Sequence, residues 1–289
     1  MRPGKAAERS TMPAAPITQD VHFQHAPNPA HPVAVHIPAA FDHTRPFLLC
    51  VFMHGLNVPG VTFEAHIRTA IGQMGAATTN TILVAPRFDG NAAAAFGTPT
   101  GFSAFVAELG EKLPTVLAPG LAAADAQAVG AAAAQTARIA LVAFSGGWRP
   151  CAAILDGLLG LPAGDTLPKR LVALQLLDAV YGDVPGSQSS VRAWMTARGA
   201  DTVLVSLFNP ATGLNAKAGN NALLAALRPH DTVRDPSTWP ALANPLPAGS
   251  IAFFAVPTPH LEIPAKGPPA DPIASFLNLL ADRTVVPTS

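Results

Sequence analysis

A serine stands where a strand is expected to give way to a helix, in the segment Ala143-Phe144-Ser145-Gly146-Gly147. In such a sharp turn the residues two before and two after the centre must be small, and the central residue is strained with its side chain exposed. Ala143 and Gly147 meet this demand, although the usual motif has Gly where Ala143 stands. The context predicts that Ser145 is a nucleophile, against the alternative of a glycine-rich turn with an incidental serine.

A serine hydroxyl becomes a useful nucleophile only when an adjacent base accepts its proton, and histidine suits that task near neutral pH. Of the nine histidines, His260 follows the last apolar strand on a short loop, carboxyl-terminal to the serine. This placement favours His260 as the general base, with His230 as the runner-up. The histidines that precede the first central strand at 47–53 are interpreted as surface groups: His22, His25, His31, His36 and His43.

The third member of such a site is a carboxylate that orients the histidine. Asp178 directly follows the apolar run Leu171–Leu177, and Asp183 lies in the same loop. The position after the next strand holds Asn209, which cannot supply a charge. We therefore expect Asp178 to be the acid and keep Asp183 as its rival, with a helix N-cap as the alternative role for either.

Acyl transfer also needs hydrogen-bond donors aimed at the developing oxyanion. The segment His54-Gly55-Leu56-Asn57 follows an apolar strand at residues 47–53, where a second donor is expected. The backbone N–H groups of Leu56 and Gly146 are the candidate donors. We expect His54, Gly55 and Asn57 to lie beside the substrate, and a loop brace is the alternative role for His54.

Three further residues near these segments are candidates for substrate binding: Trp148, Arg149 and Tyr181. The Arg149 guanidinium could bind a substrate carboxylate through two hydrogen bonds, or pair with Asp178 or Asp183 in a structural role. Trp148 and Tyr181 are expected to line the pocket, unless they only pack beneath the loops.

The framework that must position these residues shows short apolar runs alternating with helical patterns. This alternation predicts a doubly wound α/β architecture, with a mostly parallel sheet flanked by helices. An alanine-rich stretch at 121–134 is compatible with a further helix. The expected strands are 33–37, 47–53, 81–85, 138–144, 171–177, 202–208 and 251–256, and the expected helices are 63–74, 102–117, 148–159, 191–198, 221–227 and 272–281.

The composition predicts a folded chain, since 49% of its 289 residues are hydrophobic and only 12% are charged. We expect residues 1–20 to form a disordered tail and residues 21–289 to form a single domain. Cys50 and Cys151 are too few and too far apart for a disulfide framework, so buried free thiols are expected.

Charge and hydropathy argue against several classes of partner. With 18 basic and 18 acidic residues and no basic run, nucleic acid is not expected. The apolar runs are shorter than the roughly 20 residues of a membrane helix. No signal-peptide core is visible, so the default expectation is a cytoplasmic protein, and secretion stays open because a trimmed amino terminus would look the same. No spacing of His and Cys suggests a metal, and the oligomeric state is left open.

Around Ser145, Asp178 and His260 the chain resembles the α/β-hydrolase superfamily from about residue 33 to residue 281. It is most similar to bacterial serine hydrolases in which Ser-Gly-Gly is followed by an aromatic residue and Arg, and in which an Asp is followed shortly by Tyr-Gly. The resemblance implies an acyl hydrolase in which Ser145, Asp178 and His260 form the triad and no cofactor is needed.

The expected activity is cleavage of an ester or amide bond through an acyl-enzyme on Ser145, in a small-molecule or polymeric substrate. Two alternatives are kept. A protein of this fold can be a non-catalytic binding module, and the acyl group can be transferred to an acceptor other than water.

Overall fold

The computed structural model describes residues 15–56, 62–88 and 92–280, with the side chains of residues 92–94 left out. These residues form an eight-stranded sheet in the order β1-β2-β4-β3-β5-β6-β7-β8. The β1–β2 and β2–β4 pairs are antiparallel, and every other pair is parallel. The strands are β1 (Ile17–Val21), β2 (Val33–Ile37), β3 (Leu48–Met53), β4 (Thr81–Ala85), β5 (Arg138–Phe144), β6 (Leu171–Leu177), β7 (Val203–Phe208) and β8 (Ile251–Ala255).

Helices cover both faces of this sheet. Alternate residues of β5 show this directly, because Ile139 and Leu141 join one apolar cluster while Ala140 and Val142 join the other. The helices are α1 (Phe63–Gln73), α2 (Gly101–Leu117), α3 (Ala123–Gln135), α4 (Trp148–Leu159), α5 (Leu167–Arg170), α6 (Gly186–Arg198), α7 (Ala216–Leu227), α8 (Ile263–Lys266) and α9 (Pro272–Asn278). Residues of α2, α3, α4, α6 and α7 belong to the first cluster, and residues of α1, α8 and α9 belong to the second. The predicted doubly wound, mostly parallel α/β architecture is confirmed.

The central strands are almost wholly apolar because they are buried on both faces. Every residue of β3, β4 and β6 is buried. Parallel strands all end at the same edge of a sheet, so the loops that follow β3, β5, β6, β7 and β8 are brought to one edge. That edge carries the residues that the sequence singled out for chemistry.

The amino-terminal part of the fold differs from the prediction. Residues 17–20 were assigned to a disordered tail, but Ile17–Val21 forms β1 and pairs with β2. Ile17 and Val21 pack against the apolar core on one face of the strand, which explains why so polar a segment is ordered. Because β1 takes the outer position, β2 is buried at all five residues, so the interpretation of His36 as a surface group is wrong; its side chain is buried and hydrogen-bonds Thr18 of β1.

Two helices begin earlier than the sequence pattern indicated. α6 begins at Gly186 and α7 at Ala216, each five residues before the predicted start at 191 or 221. Their first turns are rich in Gly, Ser, Gln, Lys and Asn, so the apolar periodicity that marks a helix begins only in the second turn. The bounds of β2, β4, β5 and β6 agree with the prediction residue for residue. Within the described ranges, no helix is both long and apolar enough to cross a bilayer.

Candidate active site

The turn after β5 is as tight as the sequence required. Ser145 has a φ of 49°, and residues Ser145–Gly147 form a short 3-10 turn that leads directly into α4. A Cβ on Gly147 would lie 2.3 Å from the Met53 carbonyl oxygen and 3.0 Å from that of His54, so only glycine fits against the end of β3. The Ser145 side chain is thereby held at the sheet edge in a half-buried position.

Three side chains from separate loops meet at this edge. His260 Nε2 lies 2.8 Å from Ser145 Oγ, and His260 Nδ1 lies 2.8 Å from Asp178 Oδ2. Since the carboxylate can only accept, Nδ1 carries the proton and Nε2 is left to accept from the serine hydroxyl. The His260 side chain is 27% exposed, whereas that of Asp178 is fully buried. The arrangement therefore has a buried carboxylate at one end and a half-buried hydroxyl at the other.

Asp178 is held in an unusual backbone conformation at the end of β6. Its φ is 49°, and its N–H donates to the Leu207 carbonyl oxygen at 2.7 Å. Its Oδ2 accepts from His260 and from the Thr212 hydroxyl at 2.5 Å, while its buried Oδ1 has no hydrogen-bond partner in the described part of the chain. The rival carboxylate, Asp183, is exposed and makes no contact with His260. The sequence left two candidate acids, Asp178 and Asp183, and Asp178 is the one that His260 contacts.

Tyr181 is buried beside Ser145 and Asp178. Its side chain is buried, and its hydroxyl donates to the Asp178 carbonyl oxygen at 2.6 Å and lies 3.5 Å from Ser145 Oγ. Burial raises the pKa of Tyr181 to about 12, so the phenol stays protonated at neutral pH. The contact fixes the peptide carbonyl of a residue whose own φ is strained.

The two candidate oxyanion donors lie next to one another. A Cβ on Gly146 would come within 3.1 Å of the Leu56 backbone nitrogen, so the peptide groups of these residues are in close contact. The N–H of Gly146 is in the first turn of a helical segment, where N–H groups have no intrahelical acceptor. Gly55 packs against Phe144, and a Cβ there would lie 3.0 Å from that ring. Leu56 and Gly146 are therefore neighbours at the sheet edge, as two donors to one oxygen must be.

His54 braces two loops. Its Nε2 accepts from the Phe88 N–H at 3.0 Å, and its Nδ1 lies 2.6 Å from the Gly55 carbonyl oxygen. These bonds fix the proton on Nδ1 and tie the loop after β3 to the loop after β4. With 4% of its surface exposed, His54 supports the Gly55–Leu56 peptide from behind rather than facing a substrate.

The remaining predicted binding residues are Trp148, Arg149 and Asn57. Trp148 is half-buried at the start of α4, and the exposed Arg149 holds its guanidinium carbon 5.5 Å from the centre of the Trp148 ring. Among the described residues, Arg149 forms no ion pair with Asp178 or Asp183. Asn57 lies outside the described residues.

Two polar groups at this edge were not among the predicted site residues. Thr212 donates to Asp178, and Asn209 Nδ2 donates to the Thr258 carbonyl oxygen at 2.9 Å in the loop that leads to His260. Asn209 had been noted only for lacking a charge. The signal that could have found both is the turn Asn209-Pro210-Ala211-Thr212, whose short polar side chains directly follow a buried strand.

A third missed residue, His66 of α1, is buried in the core behind the site. Its ring meets the Phe144 ring edge-on, with centroids 5.0 Å apart, and Phe144 in turn packs against the His260 ring at 5.3 Å. Neither ring nitrogen of His66 has a hydrogen-bond partner in the described part of the chain. Burial, with smaller effects of His54 and His260, lowers the pKa of His66 to about 4.

The pKa of His66 predicts a pH-dependent loss of stability. An unfolded histidine titrates near 6.5, whereas folded His66 stays neutral down to a pKa of about 4. Between these values the unfolded chain binds one more proton, so the free energy of unfolding falls as pH is lowered through this window, by up to about 3 kcal/mol. We expect the free energy of unfolding, measured by urea denaturation at pH 4.5 and pH 7.5, to differ less between the two pH values in His66→Leu than in the wild type. The exposed His230→Gln is the control and should keep the wild-type difference; an equal pH dependence in His66→Leu and wild type would contradict the assignment.

The cysteines match the prediction of buried free thiols. Cys50 and Cys151 are both buried and unpaired, and burial raises the pKa of each thiol to about 12. Neither is a reactive thiolate at neutral pH. In the described ranges, no group of three or more His, Cys, Asp or Glu side chains is arranged to hold a metal ion.

The chain matches no model of a known protein family and no curated protein sequence. It is similar in structure to several solved esterases. One is the S954A mutant of the feruloyl esterase module from Clostridium thermocellum complexed with sinapinate, at 15% identity over 96% of this chain and 92% of that chain, with a TM-score of 0.47. Others are the esterase domain of a Rhodothermus marinus protein, at 12% identity over 92% and 95% with a TM-score of 0.44, and the esterase LipW from Mycobacterium marinum, at 12% identity over 93% and 80% with a TM-score of 0.43.

The fold is identified by features of the molecule itself. The sheet is mostly parallel and wound on both faces, and a strained serine follows β5 at a sharp strand-to-helix turn. The serine, the acid and the histidine follow one another along the chain in the order of the α/β-hydrolases. The chain has the α/β-hydrolase fold.

Proposed function

We propose that this protein is a serine hydrolase that cleaves an ester or amide bond through an acyl-enzyme on Ser145. The observation that carries the proposal is the pair of 2.8 Å contacts that join His260 to Ser145 on one side and to Asp178 on the other. A histidine bonded to a carboxylate through Nδ1 and to a hydroxyl through Nε2 has the geometry that activates a nucleophile.

In the first half of the reaction, His260 Nε2 accepts the Ser145 proton as Oγ bonds to the substrate carbonyl carbon. The carbonyl electron pair moves onto its oxygen, which the N–H groups of Leu56 and Gly146 stabilise. When the intermediate collapses, the carbonyl re-forms and the bond to the leaving alcohol or amine breaks. His260 gives its proton to that leaving group, and the acyl group stays on Ser145.

In the second half, water takes the place of the leaving group. His260 Nε2 accepts a proton from water as the water oxygen attacks the acyl carbon, and the intermediate collapses with release of the carboxylic acid. Ser145 Oγ recovers its proton from His260. Throughout, Asp178 remains ionised and stabilises the imidazolium that forms twice per turnover.

The geometry favours catalysis over a non-catalytic binding role. A binding module would have no need for the histidine and the carboxylate to lie within hydrogen-bond reach, and its serine would be free to be buried. Here the histidine and the carboxylate are hydrogen-bonded, and Ser145 is only half-buried. The proposed substrate is a small-molecule or polymeric ester or amide. The proposed nucleophile elbow is the turn Ser145-Gly146-Gly147, which resembles the Ser-Gly-Gly turn of bacterial serine hydrolases.

The proposal is tested by hydrolysis of p-nitrophenyl esters of graded acyl length, with small amides and peptides alongside, before and after treatment with a fluorophosphonate. We expect at least one substrate to be cleaved, the acid product to take up ¹⁸O from labelled water, and the fluorophosphonate to abolish the activity. Hydrolysis that survives complete phosphonylation would contradict the proposal. Acyl groups recovered on an added alcohol instead of as free acid would make the protein a transferase.

A further inference from the structure

We propose that Thr212 is a positioning residue, which holds the Asp178 carboxylate in the orientation that His260 requires. The expected effect on kcat rests on the proposed function, whereas the expected effect on the hydrogen bond between His260 and Asp178 does not. Thr212 lies in the loop after β7. The residue that directly follows this strand is Asn209, which is not a carboxylate.

The contacts at Asp178 show why a positioning group is needed. Both donors reach the same oxygen, with Thr212 Oγ1 at 2.5 Å and His260 Nδ1 at 2.8 Å from Oδ2. The other oxygen, Oδ1, is buried with no partner among the described residues. The carboxylate is therefore fixed by bonds to one oxygen alone. If the Thr212 hydroxyl is removed, His260 is the remaining side-chain donor to Asp178. Rotation of the carboxylate about the Cβ–Cγ bond of Asp178 is then opposed by one hydrogen bond instead of two.

The turn that carries Thr212 is itself tied to both sides of the site. The Thr212 N–H donates to the Asn209 carbonyl oxygen at 3.0 Å, and the Ala211 N–H donates to Asn209 Oδ1 at 2.8 Å. Asn209 Nδ2 donates to the Thr258 carbonyl oxygen, two residues before His260. One turn therefore anchors the histidine loop through Asn209 and the acid through Thr212, although it contributes no charge.

A hydrogen bond to an ionised group is among the stronger single contacts in a protein, and this one acts through Asp178 on the imidazole rather than on the substrate. Its loss is expected to lower kcat by roughly tenfold with little change in KM, because the orientation of the base is disturbed while substrate contacts are not. The expected pattern is a change in the chemical step, not in binding.

The test compares Thr212→Val, which removes the hydroxyl at nearly constant shape, with Thr212→Ser, which keeps it, and with Thr196→Val as a control at an exposed threonine of α6. Circular dichroism and thermal melting establish that each variant is folded, and Thr212→Ala replaces Thr212→Val if the latter does not fold. We expect kcat to fall about tenfold in Thr212→Val, and to stay within about twofold of wild type in Thr212→Ser and Thr196→Val.

A second measurement does not depend on activity. The His260 Nδ1–H, bonded to a carboxylate, gives a far-downfield proton resonance in NMR, which is assigned by its absence from His260→Gln. We expect this resonance to shift or broaden by exchange in Thr212→Val and to be retained in Thr212→Ser. If the wild type hydrolyses no substrate but the resonance responds in this way, the positioning role holds and only the proposed function fails. A folded Thr212→Val with unchanged kcat and an unchanged resonance would overturn the inference.

Discussion

Ser145→Ala is expected to lower kcat by about 10⁶-fold on any ester that the wild type cleaves. The substitution removes the oxygen that lies 2.8 Å from His260 Nε2, so no acyl-enzyme can form. Alanine tolerates the tight turn no worse than serine, because both have a Cβ at a φ of 49°. The residual rate should reflect water attack assisted only by the Leu56 and Gly146 donors, on the order of 10³-fold above the uncatalysed reaction.

The control is Ser189→Ala, which removes an exposed serine from α6 and should leave kcat and KM at wild-type values. Burst kinetics separate the two halves of the reaction: the wild type should release one equivalent of p-nitrophenol ahead of steady state if deacylation is slow, and Ser145→Ala should show no burst. Steady hydrolysis by Ser145→Ala at more than a hundredth of the wild-type rate would remove Ser145 from the mechanism.

Asp178→Asn is expected to lower kcat by about 10⁴-fold while leaving the fold intact. An asparagine amide is the same size as the carboxylate but can donate a hydrogen bond to His260 Nδ1. The imidazole proton then moves to Nε2, which faces the Ser145 hydroxyl with a donor instead of an acceptor. The substitution also removes the charge that stabilises the imidazolium, so both halves of the reaction slow.

Asp183→Asn is the matched control, because Asp183 is the rival acid in the same loop and is exposed. Its kcat should stay within about twofold of wild type, since a single exposed charge contributes little. Equal losses in the two variants, or a larger loss in Asp183→Asn, would contradict the assignment of Asp178 as the acid. Kinetics of both variants at one pH and matched substrate concentrations decide the question.

Most of the sheet could be predicted because its strands are buried on both faces. The runs at β4, β5 and β6 are short and apolar except at Thr81, Arg138 and Gln175, so the apolar pattern indicates their bounds. Parallel strands then bring their carboxyl ends to one edge, which is why residues directly after β5 and β6 could be expected to meet a histidine after β8. Their contact distances could not be predicted, since they depend on loop conformations such as the positive φ at Asp178.

The features that the sequence did not reveal depend on contacts between segments far apart in the chain. β1 has polar residues at its three central positions, and it is ordered by pairing with β2 and by the packing of Ile17 and Val21 against the core. For Tyr181 the sequence left open whether the ring lines the pocket or packs beneath the loops; the ring is buried, and its hydroxyl donates to the Asp178 carbonyl oxygen. Thr212 contacts an acid 34 positions away, and the polar turn that contains it does not indicate which distant residue its hydroxyl will contact.

The central claim is that Ser145 is the nucleophile, and peptide mapping after reaction with a fluorophosphonate tests it most directly. We expect a single phosphonyl group per chain, located by mass spectrometry on Ser145, and strongly reduced labelling of His260→Ala because the hydroxyl is then no longer activated. A label on any other residue, or equally fast labelling of Ser145 without His260, would contradict the proposed mechanism.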